Sequence, residues 1–171
     1  MKDNADFVIS NKVIEMLTVA NEYCLFTEKI KDYKKDDVVL YYSRMMPLLY
    51  LKCSLLPDLE IDDSSAHEKF VIEEEWLGIY RDAKELLGKD NYFIWLNDDV
   101  NVNDETPKSD SAELLADLYQ DLKDFVLLYQ KETLAAKENA VYWLKYYFKL
   151  QWGEKNIKLL YFAHAYLSKY K

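Results

Sequence analysis

Ala112–Lys131 reads AELLADLYQDLKDFVLLYQK, and the way its apolar residues recur decides the fold. Leu115, Leu118, Leu122, Phe125 and Tyr129 follow one another at intervals of three and four. Leu114 and Val126 widen that stripe to the breadth of a core-facing helix. Asp110 is placed to cap the start, with Glu113 three residues on to complete a capping-box-like pair. Asp117, Asp121 and Asp124, spaced four and three, line one flank. The stretch is therefore expected to be the central helix, edged with carboxylates.

The rest of the chain agrees with a helical fold. At 171 residues, half of them hydrophobic, it is long enough for one domain (1–171) around one core. Only three glycines and three prolines occur, too few for the turns of an all-β sandwich. The expectation is an all-α, irregular bundle of five to seven helices. The opening MKDNADF is polar and acidic, unlike a secretory signal, and no apolar run approaches the roughly 18 residues of a membrane span. Cys24 and Cys53 each fall in an apolar helical pattern and read as reduced core thiols, so the cytoplasm is the expected compartment. The net charge of −9 argues against general binding to nucleic acid or anionic lipid. Its distribution is uneven. From Trp143 onward six lysines face Glu154 alone, leaving −14 on the preceding 142 residues. Such a basic end can dock on the acidic body.

In chain order, a first helix is expected from about Asp6 to Ile30, with Ile9, Val13, Leu17, Ala20 and Cys24 inward. A second, Val38 to Leu56, is apolar around most of its circumference and should be buried. Its seam runs Val38, Tyr42, Met45, Leu49, Lys52, Leu56, and Pro47 should kink or split it. A third, Glu73 to Leu87, opens on three glutamates at the positive end of the helix dipole and closes on Gly88. Gly78 in its interior costs about 1 kcal/mol against alanine, a sign that another backbone approaches. Tyr92–Leu96 reads as a short strand or one helical turn. The loop-like Asn97–Asp110 stretch is a candidate functional segment. A fifth helix, Leu134 to Gln151, is interrupted or kinked at Trp152-Gly153. A sixth, Ile157 to Ser168, has Ile157, Leu160, Tyr161, His164 and Leu167 inward.

Four stretches carry a family resemblance: TVANEYCLF in the first helix, MPLLYLKCSLLP in the second, ADLYQDLKDFVLLYQK in the central one, and the Trp152-Gly153…His164 spacing. Together, from about Val13 to His164, they resemble a bacterial family known as domain of unknown function 5063. One departure is Ile72, where the family pattern has a capping Thr before the three glutamates. The resemblance implies a helical fold and no catalytic activity.

The polar oddities are few. Lys52 sits on a buried seam, where an unpaired ammonium is costly. Either its head reaches solvent or it pairs with Asp121, which lies nearest the apolar stripe of the central helix. Asp117, Asp121 and Asp124 together can attract a divalent cation, though a solvated face or partners such as Lys145 and Lys149 are the plainer reading. His67 falls in a polar loop. His164 falls on the inward row of the last helix, where a hydrogen-bonded core histidine is commoner than a ligand. The paired Glu-x-x-His of di-iron proteins, Glu-x-x-Glu, Cys-x-x-Cys, phosphate-loop and nucleophile-elbow motifs do not occur. No metal or cofactor is expected. Aromatics including Tyr142, Trp143, Tyr147 and Trp152 interleave with the C-terminal lysines, a pattern that serves either a core or a surface for a strand of nucleic acid or a protein.

The functional reading is a non-catalytic binding or adaptor protein, with an unknown protein partner or a second copy of itself. The candidate binding residues are Lys52, Asp117, Tyr119, Asp121, Asp124, Trp152 and His164. One alternative is an enzyme or small-molecule site assembled from Lys52, Asp121, Tyr119 and His164. Another is contact of the basic aromatic end with nucleic acid.

Overall fold

A computed structural model describes residues 4–61, 63–95 and 108–169. The order is α1 (Asn4–Val8), α2 (Asn11–Thr27), α3 (Lys35–Ser54), α4 (Glu73–Leu87), β1 (Tyr92–Ile94), β2 (Lys108–Asp110), α5 (Ser111–Tyr129), α6 (Leu134–Tyr147) and α7 (Gly153–Lys169). The architecture is all-helical, with a single two-stranded ribbon among the described residues. The expected loop from Asn97 ends in β2, and its residues 97–107 lie outside the described residues, as do Tyr170 and Lys171.

α5 is the centre, packed against α2, α4, α6 and α7, while α3 lies across α2 and α7. Leu115, Leu118, Leu122, Phe125, Val126 and Tyr129 are all buried, as their spacing requires. Two tyrosine hydroxyls tie α5 to the N-terminal helices: Tyr23 donates to the Leu115 carbonyl (2.9 Å) and Tyr129 to that of Val8 (2.6 Å). Asp110 caps α5 by accepting from the Glu113 amide (3.1 Å). Buried Asn91 completes the joint, donating to Asp110 (2.8 Å) and accepting from the Ala112 amide (2.8 Å). β1 and β2 pair antiparallel, Tyr92 with Asp110 and Ile94 with Lys108.

Several expectations need correcting. The first helix is broken between Val8 and Asn11, so Ile9 leaves the inner stripe and is 61% exposed. α3 is not split at Pro47, which lies on its exposed side. That helix is also less buried than its composition implies: Leu48, Leu51 and Leu55 form an outer row 38%, 52% and 47% exposed. α4 starts at Glu73 with Ile72 at its N-cap and no side-chain cap. Gly88 at its end takes the left-handed φ of 56°. At Gly78 a Cβ would meet nothing within 4 Å, so no backbone approaches there. Cys24 and Cys53 are free and buried. Among the described residues no helix is long and apolar enough to cross a membrane.

The largest departure is at Trp152-Gly153. The chain neither breaks nor restarts: α6 passes through one π-helical turn, Phe148–Trp152, straight into α7. A π turn holds one residue more than an α turn, which rotates everything after it by about 100°. The inward row of α7 is therefore Asn156, Leu159, Phe162, Ala163 and Tyr166. Ile157, Tyr161 and His164 are exposed.

Glycine fits this turn because a Cβ at position 153 would stand 2.5 Å from the Phe148 carbonyl oxygen. Gly153→Ala is expected to lower stability by about 1–3 kcal/mol, whereas Gly78→Ala should raise it by about 0.5–1 kcal/mol. Urea unfolding of the two variants reads both signs. An unchanged midpoint for Gly153→Ala would remove the close approach as the reason for the glycine.

Candidate functional site

The three flank aspartates of α5 have different fates. Asp117 accepts from the Trp76 indole N–H (2.9 Å) and pairs with Lys155 (2.7 Å). Asp124 accepts the amides of Phe70 (2.7 Å) and Val71 (2.9 Å), which fastens the segment before α4 onto α5. Asp121, between them, has no hydrogen bond or ion pair among the described residues. Burial pushes its carboxyl up to about 6, with Asp117 and Asp124 adding to the rise and Lys155 and Lys69 opposing it. Asp124 is raised as well, by burial first, against the pull of its two amides, Lys69 and His67.

Asp121 and Asp124 open into a pocket between α5, α6 and the His67–Lys69 segment. Its walls are Phe125, Trp143, Tyr147 and Trp152, and its volume of about 30 Å³ holds one or two water-sized groups. The π turn supplies Trp152, fully buried, with its indole N–H on the Leu144 carbonyl (3.0 Å). Trp143 is oriented by an N–H donated to Asn139 (3.2 Å) and is packed by the His67 ring, 4.5 Å between centroids. The His67 Nδ1 is buried without a hydrogen-bond partner. Burial and then Lys69 hold that imidazole below its usual range, which favours its neutral form. Lys69 stands at the rim with its ammonium 5.4 Å from the Tyr147 ring centroid.

Of the residues singled out in the sequence, the pocket gathers Asp121, Asp124 and Trp152, with Asp117 one turn along α5. The others lie elsewhere. Lys52 pairs with Glu15 on α2 (2.7 Å) and not with Asp121, because its half-buried stem lets the head turn outward. Tyr119 is on another face of α5, where its hydroxyl meets Glu28 (3.0 Å) and Glu75, and Lys123 pairs with Glu28 (2.7 Å). His164 is exposed on α7. The site assembled from Lys52, Asp121, Tyr119 and His164 therefore does not form. Lys145 and Lys149 do not serve the aspartate flank either: both pair with Asp58 (3.1 and 2.8 Å). With Lys155 on Asp117, they dock the basic end on the acidic body. Among the described residues no three His, Cys, Asp or Glu side chains are grouped to hold a metal ion. Both thiols are pushed up by burial, which removes nucleophilic character.

In the sequence His67 falls in a loop and Trp143 and Tyr147 in a helix, with nothing local to join them. The signal was faint: an i, i+4 aromatic pair and one histidine far off in sequence, brought together only because Asp124 fastens the loop.

These features define a helical protein with a small acidic, aromatic-walled pocket beside its central helix. The family described as domain of unknown function 5063 matches residues 7–168, and the chain belongs to it. The crystal structure of protein BF1032 from Bacteroides fragilis is similar, with a TM-score of 0.82 and 28% identity over 92% of this chain and 93% of that one. No curated protein matches the chain.

Because Asp121 stands near 6 in the folded chain, against an unfolded value of about 3.9, the native state keeps a proton that the unfolded chain releases. Stability contributed at this site falls as pH rises from about 4 to 6, and the penalty is complete above that window. Asp121→Asn is expected to stabilise the fold by about 1–2 kcal/mol at pH 7.5 and by little at pH 4. Thermal melts at the two pH values decide it; equal shifts would show that ionisation of Asp121 costs nothing.

Proposed function

We propose that the protein works by binding rather than by chemistry, as a cytoplasmic, single-domain interaction module whose site is the pocket beside Asp121. The observation that carries this reading is the carboxyl itself. It is half-buried, pushed up by burial, and has no hydrogen bond or ion pair among the described residues, and the His67 Nδ1 in the lining of the same pocket has none either. Groups kept in that condition concentrate at sites where a ligand completes them. A volume of about 30 Å³ receives a head group but not both halves of a bond to be broken. Two buried free thiols suit a reducing compartment.

Titration with small probes of each charge (n-butylamine, n-butanol, butyrate), followed by NMR of the indole N–H signals, tests the reading. At least one probe should shift Trp143 and Trp152 saturably while leaving Trp76, which faces Asp117, in place. No saturable shift with any of them would end it.

Self-association is a second reading, favoured by the leucine row on α3. An antiparallel pairing of two such helices about Leu51 sets Leu48 against Leu55. Sedimentation equilibrium should give a dimer that Leu51→Asp dissociates. A monomer at every concentration tried would exclude this pairing.

A further inference from the structure

We infer that the group this pocket receives is a primary alkylammonium, and that Lys69 is the resident cation it displaces. The inference rests on the pocket being a binding site and adds the chemistry of what binds.

Four observations point the same way. First, charge: three carboxylates, Glu68, Asp121 and Asp124, line the space, and with Glu68 paired to Lys131 and Asp124 held by two amides it is Asp121 that a neutral group would leave uncompensated, while an anion is repelled. Second, hydrogen-bonding capacity: an ionised Asp121 only accepts, and the unpartnered His67 Nδ1 accepts in the neutral tautomer protonated at Nε2, whereas an ammonium carries three donors and no acceptor. Third, the walls: Trp143, Tyr147 and Trp152 are aromatic, and the Tyr147 ring already attracts a cation, the Lys69 ammonium 5.4 Å from its centroid. Fourth, size: about 30 Å³ suits an NH₃⁺ head, which matches a water molecule, and is too small for a trimethylammonium.

Lys69 already places such a group nearby. Its ammonium stands over Tyr147 and has no ion pair among the described residues, yet its charge acts on both Asp121 and Asp124; Lys155 of α7 acts more strongly on Asp121 but is held by Asp117. It is close enough to offset the carboxylates and not close enough to satisfy them. An incoming amine that reached Asp121 would take over that role, and Lys69 would swing into water.

The experiment is an NMR titration of the full chain with n-butylamine at pH 7.5, with n-butanol, butyrate and butyltrimethylammonium as comparisons. The amine should bind, shifting the Trp143 and Trp152 indole signals, and the other three should bind at least tenfold more weakly. Its affinity should fall about tenfold per pH unit below about 6, as Asp121 takes up its proton. Asp121→Asn should abolish binding in a folded protein, and Lys69→Met should tighten it several-fold by removing the competing cation. A peptide with a single lysine, set against the free amine, separates a protein side chain from a small metabolite as the source. Equal or tighter binding of butanol, butyrate or the trimethylated cation would overturn the assignment while leaving the pocket a binding site. So would undiminished amine binding in Asp121→Asn, or weaker binding in Lys69→Met. Silence from all four probes would overturn both.

Discussion

A helix enclosed by four others loses stability with every flank charge that nothing answers. α5 meets that constraint three times within eight residues. Asp117 is answered by an indole and a lysine, and Asp124 by two backbone amides. Each solution also recruits a distant part of the chain: Trp76 from α4, Lys155 from α7, and the segment before α4. The polar flank thus helps to position the elements that the apolar stripe holds together. Asp121 is the exception, and the pocket exists where the pattern is left incomplete.

The fold was legible wherever a local rule acted alone. The stripe of α5, its Asp110 cap, the limits of α4 and the Gly88 stop follow from spacing, capping chemistry and backbone freedom. Legibility failed where a non-local contact chose between two local solutions. α7 carries two apolar rows one residue apart, and the rotation introduced by the π turn selects the row through Leu159 and Phe162 rather than the one through His164. Lys52 illustrates the same limit. Its place on the seam was right, but a four-carbon stem let its charge leave for Glu15.

The candidate site was legible only in part, for a related reason. Asp121 could be picked out because helical geometry places it beside Phe125 at the edge of the stripe. Its neighbours could not, since His67 arrives from a loop with no periodicity and Trp152 is aimed by the π turn. The basic end was visible as a charge excess. Its partner Asp58 was not, because nothing in a sequence pairs residues about ninety positions apart.

The ribbon of β1 and β2 has a consequence for the segment between them. Tyr92 to Ile94 and Lys108 to Asp110 are zipped together, and Asn91 bolts both to the start of α5. Wherever the intervening chain goes, it departs from and returns to one fixed clasp. Closing a longer excursion costs only about 0.6 kcal/mol for each doubling of its length. The clasp therefore fixes the two ends of that segment to the central helix whatever its length.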